Sequence, residues 1–378
     1  MYQFSAPMPY NIDDINQLIE INNYIEKSKI TSLFFSLPSD CELFTGFEQY
    51  RNLIFGRNWN YWKGLISKCL DKETDFIYLL NSPNRLPIES FDFEKKLEKL
   101  DKLLDELSKL GVNKLRIADH KLMSYIEKNY PNFIIYASTS LEYKIISEYR
   151  NFMKVHPNTK QIVPSHDCIK NFTLLKNLKK LFPNVEIELM VNEGCIRGCP
   201  LRANHAGEII DRNIIYKNDI NLSNKYYTQA FCDKVPPINS ITSANVIYPW
   251  EIKEYSKIGI NKFKLVGRDI FDTGMERCLH RYYAYLKGID YLKNINNMPV
   301  GMFIHHSCVI PELQYITLKD YKKYLPKISY FKKYGNLCSS RCGVECRYCD
   351  NCAKKIEKVL MKKHEEMRKR TVPVCVIT

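Results

Sequence analysis

The chain has 378 residues, of which 45% are apolar and 12% aromatic, enough to bury a large core and to exclude intrinsic disorder. Its formal charge of +14 invites an anionic or RNA partner, but most lysines alternate with acids on helical faces, and only KKIEKVLMKKHEEMRKR concentrates positive charge. The opening MYQFSAPMPYNIDDINQ does not read as a signal peptide and no apolar run approaches the ~18 residues of a membrane span, so a soluble, cytoplasmic, non-membrane protein is expected.

Short apolar runs alternate with amphipathic stretches, the pattern of parallel βα units. The first predicted strand covers 30–37 (ITSLFFSL) and the second 75–80 (DFIYLL). A strongly periodic helix follows over 91–110 and stops at Gly111, a natural helix terminator. Strands three to six are predicted over 114–118, 133–137, 161–163 and 185–191. The pattern then loosens through a cysteine pair and on to Pro236–Pro237. It resumes with strand seven at 245–248, a helix over 249–258, strand eight at 262–266 and a helix over 273–288. Eight strand–helix units predict a closed (β/α)8 TIM-like barrel over 1–294, with a cysteine-rich, metal-binding appendage over 295–378. The appendage also holds the apolar run 300–304 and the pair His305–His306.

In such a barrel the chemistry sits where strands end and βα loops begin. Polar residues follow nearly every predicted strand: Asp40 and Cys41, Asn81, Asp119 and His120, Ser138 and Thr139. Later strands add Ser165, His166 and Asp167, then Asn192 and Glu193, then Lys264, Arg268 and Asp269. His166, Asp119 and His205 are the acid–base candidates, because imidazole and carboxylate groups move protons near neutrality. Lys264 and Arg268 would put positive charge at the mouth, suited to a carboxylate or phosphate on a substrate.

Four segments resemble the collagenase-like peptidase family, peptidase family U32. GINKFKLVGRD is similar to that family's turn into a strand ending K-I-E-G-R, with Val266 replacing the acidic residue. YASTSLEYKIISEY resembles its H-x-S-T-Q segment, with Tyr136 where histidine is usual. IVPSHDCIKNFTLLKNL followed by VEIEL resembles its fifth and sixth units. NEGCIRGC opens where the family carries iron–sulfur ligands, although the cysteine spacing is altered here. The resemblance spans about 30–288, and the C-terminal cysteine run is not part of the family's common core. It implies a TIM-like barrel, often with one 4Fe–4S cluster, and activities that include oxygen-independent hydroxylation of RNA bases and quinone precursors. The peptidase label is the older one.

Fourteen cysteines could make disulfides only in an oxidising compartment, so their close spacing predicts metal ligation. Cys195 and Cys199 are separated by three residues in a loop broken by Gly194 and Gly198, which lets the backbone wrap round a metal. Cys41, at the end of the first predicted strand, and Cys232, in the same long loop, complete a proposed 4Fe–4S site at the barrel mouth. Cys342, Cys346, Cys349 and Cys352, with Cys338 as the spare, predict a second 4Fe–4S cluster, with structural zinc as the rival. The spacing Cys342-x3-Cys346-x2-Cys349 also matches radical SAM enzymes, but there the motif precedes the barrel and here only 26 residues follow Cys352. Cys69, Cys278, Cys308 and Cys375 are isolated and read as small buried hydrophobes.

The expected function is therefore an oxygen-sensitive iron–sulfur oxidoreductase that hydroxylates or oxidises an anionic small molecule or RNA. It would draw on an electron donor or partner protein. The alternatives are a peptidase, a non-catalytic iron–sulfur partner subunit and an RNA-base-modifying enzyme. No G-x-S-x-G elbow, Walker A loop or H-E-x-x-H helix occurs. Oligomeric state has no signature in the sequence.

Overall fold

A computed structural model describes residues 1–36, 59–69, 74–81, 93–199, 202, 244–267, 275–291, 294–297, 303, 317–337 and 345–370. Eight parallel strands close a barrel in the order β1-β10-β7-β6-β5-β4-β3-β2. They are β1 (Tyr2–Pro7), β2 (Ser28–Phe35), β3 (Asp75–Leu80), β4 (Lys114–Ile117), β5 (Ile134–Ala137), β6 (Gln161–Ile162), β7 (Glu186–Met190) and β10 (Lys262–Lys264). The helices that return the chain are α1 (Ile12–Glu20), α2 (Trp59–Cys69), α3 (Phe93–Lys109), α4 (His120–Asn129), α5 (Ile146–Val155) and α6 (Phe172–Leu181). The short α7 (Ile252–Ser256) and the longer α8 (Met275–Asp290) complete the ring. Among the described residues no helix is long and apolar enough to cross a membrane.

The expected barrel is present, but its strand set differs from the expectation. Tyr2–Pro7 is a barrel strand that the sequence reading passed over. It closes the cylinder by pairing with β2 on one side and with β10 on the other, Ser5 opposite Lys264. The predicted seventh strand is not a barrel strand. Its described core, β9 (Ala244–Val246), pairs antiparallel with β8 (Asn192–Ile196) in a separate two-stranded sheet. The reason is occupancy: β7 and β10 pair directly, Lys262 opposite Glu188, leaving no slot between them.

Local sequence explains the outer layer. In α3, Leu100, Leu103, Leu104 and Leu107 recur at helical spacing and are all buried. The helix stops at Gly111, whose φ of 74° suits glycine, and the Val112 amide returns to the Leu107 carbonyl at 2.9 Å. α8 is tied to the barrel base, where Asp290 accepts from the Glu26 and Lys27 amides at 2.8 and 3.0 Å.

The barrel interior is layered by polarity. Arg116 pairs with Glu188 at 2.5 Å and donates to Gln161 at 2.6 Å, all of them buried. Phe34, Ile77, Leu79 and Tyr136 form a small apolar cluster of their own. The Lys264 ammonium lies 4.1 Å from the Phe34 ring centroid.

Beyond the barrel come α9 (Leu318–Tyr321), α10 (Ile328–Tyr334) and α11 (Tyr348–Arg370). This C-terminal part packs on the sixth and seventh units. Lys170 pairs with Glu251 at 2.6 Å and also lies over the Phe331 ring, 5.3 Å from its centroid. Lys332 pairs with Glu254, and Gly335 lies directly against the Lys170 carbonyl.

Candidate functional site

Three strand ends build one charged cluster at the mouth. After β5, Ser138 caps a short turn over Thr139–Leu141, and Glu142 follows with φ of 54°, a left-handed backbone that non-glycine residues seldom adopt. After β6, Ser165 caps the turn His166–Cys168, which turns out His166 and Asp167. After β7, the chain runs straight into β8, which carries Glu193 and Cys195. Asn192 fixes this junction by exchanging two hydrogen bonds of 2.8 Å with the Val266 backbone beyond β10.

His166 lies between two carboxylates: Nδ1 is 3.5 Å from Glu142 Oε1 and Nε2 is 3.6 Å from Glu193 Oε2. Burial pushes the imidazolium down, but the two carboxylates outweigh it and raise its pKa above the ordinary histidine value. Burial likewise opposes ionisation of Glu142, but His166 and Arg202 hold its carboxyl below the usual range. Ser165 Oγ donates to Glu142 at 2.7 Å, and Thr139 Oγ1 donates to the Pro164 carbonyl at 3.0 Å.

Asp167 is the hub behind this group. Its Oδ1 accepts from Arg202 Nη2 and from the Gly198 amide, both at 2.8 Å, and its Oδ2 pairs with Lys144 at 2.8 Å. Against the cost of burial, these donors hold the Asp167 carboxyl at about 2. Gly198 turns with φ of 66°, which brings its amide to the carboxylate.

Cys195 and Cys199 meet at this hub. Arg202 Nε donates to the Cys195 sulfur at 3.3 Å, and the Cys195 amide donates to Glu193 Oε1 at 2.9 Å. A hydrogen bond with Cys199, followed by burial, raises the Cys195 thiol well above the ordinary thiol range. Among the described residues, none of Cys69, Cys168, Cys195, Cys199, Cys346, Cys349 and Cys352 is disulfide-bonded.

The structure also brings the appendage cysteines to this loop. Cys349 and Cys352 lie one turn apart at the start of α11, and both are buried. Burial, then the neighbouring Cys349, pushes the Cys352 thiol up to about 11. Tyr330 stacks on Tyr348 at 3.8 Å, and its hydroxyl is 3.4 Å from the Cys346 sulfur. Arg197, inside the mid-chain pair, donates from Nη2 to the Cys349 sulfur at 2.9 Å.

The donor chemistry fits thiolate-held metal, since sulfur is paired in the mid-chain loop and two arginines donate to sulfur. Among the described residues no three ligand side chains converge on one point. Of the expected ligands, Cys41, Cys232, Cys338 and Cys342 lie outside the described residues, as do His205 and Arg268.

Asp119 is not brought to the His166 group. It caps α4, accepting from the Leu122 amide at 2.8 Å, which is a structural use of that carboxylate. Its neighbour His120 joins a separate chain with His156 at 3.0 Å, and His156 in turn meets Glu127 at 2.8 Å. Lys264 stays inside the barrel, 6% exposed, rather than on its rim. The sequence reading assigned no role to Glu142, Lys144, Arg197 or Arg202. The usable signal was position: Arg197 and Arg202 flank Cys199, and Glu142 lies within the segment YASTSLEYK.

A curated protein of Methanocaldococcus jannaschii, described as an uncharacterised protease, is 22% identical over 190 residues, covering 50% of this chain and 51% of that protein. The chain resembles the collagenase-like peptidases. The match to that relative spans about half the length of each chain. Among solved structures, the U32 peptidase Mk0906 superposes with a TM-score of 0.46 at 11% identity, over 71% of this chain and 93% of that one. A Clostridium difficile protein solved with mannosamine gives a TM-score of 0.36 at 12% identity, over 96% and 98%. No family model matches the chain.

Proposed function

We propose that the chain is a barrel oxidoreductase of the collagenase-like peptidase type, with a 4Fe–4S cluster held at the mouth by Cys195 and Cys199 together with Cys41 and Cys232. The carrying observation is that His166 is flanked by Glu142 and Glu193, and that Glu193 in turn accepts from the amide of Cys195, whose sulfur receives a hydrogen bond from the half-buried Arg202. The cluster would supply electron transfer or a Lewis-acidic iron for oxygen-independent hydroxylation or oxidation.

The chain's own residues supply the rest. His166 would carry the proton, because both ring nitrogens face carboxylates that favour its charged form. Glu142 and Glu193 would hold the charged ring in place. Asp167 would hold Arg202 and the Gly198 amide, keeping the cysteine loop in one conformation. Arg268, just beyond β10 in sequence, would attract an anionic substrate such as a carboxylate or phosphate.

A serine-type peptidase needs a hydroxyl whose proton is aimed at a histidine base. Here Ser165 gives its proton to Glu142, and Thr139 Oγ1, 3.5 Å from His166 Nδ1, lies closer to the Pro164 carbonyl at 3.0 Å and gives its proton there. That arrangement favours the redox reading.

Oxygen-free purification followed by iron, sulfide and zinc analysis and visible spectroscopy tests the proposal. The expected product is brown and contains iron and sulfide, and the Cys195→Ser, Cys199→Ser variant loses the mouth share. Colourless, iron-free protein overturns the reading. Turnover of a peptide substrate that survives complete iron removal would replace it with the peptidase.

A further inference from the structure

Arg197 belongs to the barrel loop, yet two of its contacts come from the appendage. Its guanidinium is 5.0 Å from the Phe331 ring centroid and 2.9 Å from the Cys349 sulfur, and the residue is only 6% exposed. Phe331 and Cys349 are themselves buried. A guanidinium keeps its charge at any working pH, and its hydrogen bond is strongest to a charged acceptor. A thiol sulfur is a weak acceptor, whereas a thiolate bound to a metal is a good one.

Arg202 repeats the arrangement five positions later with Cys195. The two arginines flank Cys199, and each donates to a sulfur of a different cysteine group. The Arg197 backbone is two residues from both Cys195 and Cys199, a chain distance of about 7 Å. The appendage sulfurs therefore lie beside the mid-chain loop.

We propose that Arg197 is a positioning residue for a metal held by the appendage cysteines, Cys349 among them: its N–H···S contact orients the Cys349 thiolate and seats that metal site against the barrel mouth. This rests on the reading that the C-terminal cysteines bind metal. The contact tunes the metal as well as holding it, because outer donors to a ligand alter its basicity.

Cobalt(II) is the probe. The full chain carrying Cys195→Ser and Cys199→Ser is titrated with cobalt without oxygen, and the thiolate-to-cobalt charge-transfer band is followed. Arg197→Gln in this background should weaken cobalt binding about tenfold or more and move the band. Arg197→Lys, which keeps the charge but not the fork, should fall between. Phe331→Leu, which keeps the donor and removes the ring beneath it, should weaken binding less than Arg197→Gln and leave the band in place. Equal affinity and an unmoved band in both Arg197 variants overturn the proposal. If Arg197→Gln fails to fold, the comparison of Arg197→Lys with its parent decides alone. A parent chain that takes up no cobalt overturns the metal reading of the appendage itself, a result distinct from a bound metal that ignores Arg197.

Discussion

Arg202 donates to Asp167 at 2.8 Å across 35 positions of sequence, and the carboxylate it meets has a side chain only 2% exposed. Removing the carboxylate takes the 2.8 Å partner from Arg202 and leaves it the longer contact to Glu142 at 3.7 Å. Asp167→Asn should therefore cost about 1.5–3 kcal/mol in denaturant unfolding, beyond an ordinary surface change. The acid limb of the stability curve carries the same signature. Asp167 ionises at about 2 in the folded chain, so its contribution is complete above the ordinary aspartate value and is lost as pH falls through about 2. Thermal melts over that range should show a shallower acid decline in the variant, and superimposable acid limbs would refute the assignment.

His166 gives the opposite sign. Its raised pKa means that its stabilisation is fully present below the ordinary histidine value and disappears as pH rises through the folded one. Histidine-detected NMR should find the ring titrating above the ordinary histidine value. Glu142→Gln should lower the titration midpoint, because one of the two flanking carboxylates is gone. A ring that titrates at the free-histidine value in the parent chain would contradict the geometry.

Within the barrel, Glu188→Gln should destabilise by about 3–5 kcal/mol, since the Arg116 charge is then buried without its carboxylate. The double change Arg116→Met with Glu188→Met should cost less than that single substitution, because neither charge remains to be solvated. A double-mutant cycle by urea unfolding measures both, and strict additivity would remove the pair from any role in stability.

Gly335 tests the joint between appendage and barrel. A Cβ there would stand 2.1 Å from the Lys170 carbonyl oxygen, so the backbones must move apart. Gly335→Ala should cost about 1–3 kcal/mol. Hydrogen exchange should quicken over 345–356 while β3 and β4 keep their protection. Unchanged exchange would mean that the joint tolerates the extra atom.

The barrel was legible because its strands are apolar runs of strand length separated by helical periodicity. Tyr2–Pro7 escaped because YQFSAP has no β-branched residue and has a proline at its end. The predicted strand at 245–248 (NVIY) misled because a short apolar run reads alike in a barrel and in a separate antiparallel pair. Position after a strand singled out His166, Asp167 and Glu193, and the structure gathers them with Glu142 and Arg202. Glu142 and Arg202 lie further along their loops, where a charge looks like ordinary surface, and only the left-handed turn at Glu142 brings it back. The Arg197–Cys349 contact spans 152 positions and has no local trace at all.

Because Arg197 meets both Phe331 and Cys349, the appendage and the loop after β7 share one buried cation. A hybrid that takes either part from another chain separates that guanidinium from its ring or its sulfur. Only grafts that carry both pieces in tandem leave that charge at home, which limits how such chains can be shortened or shuffled.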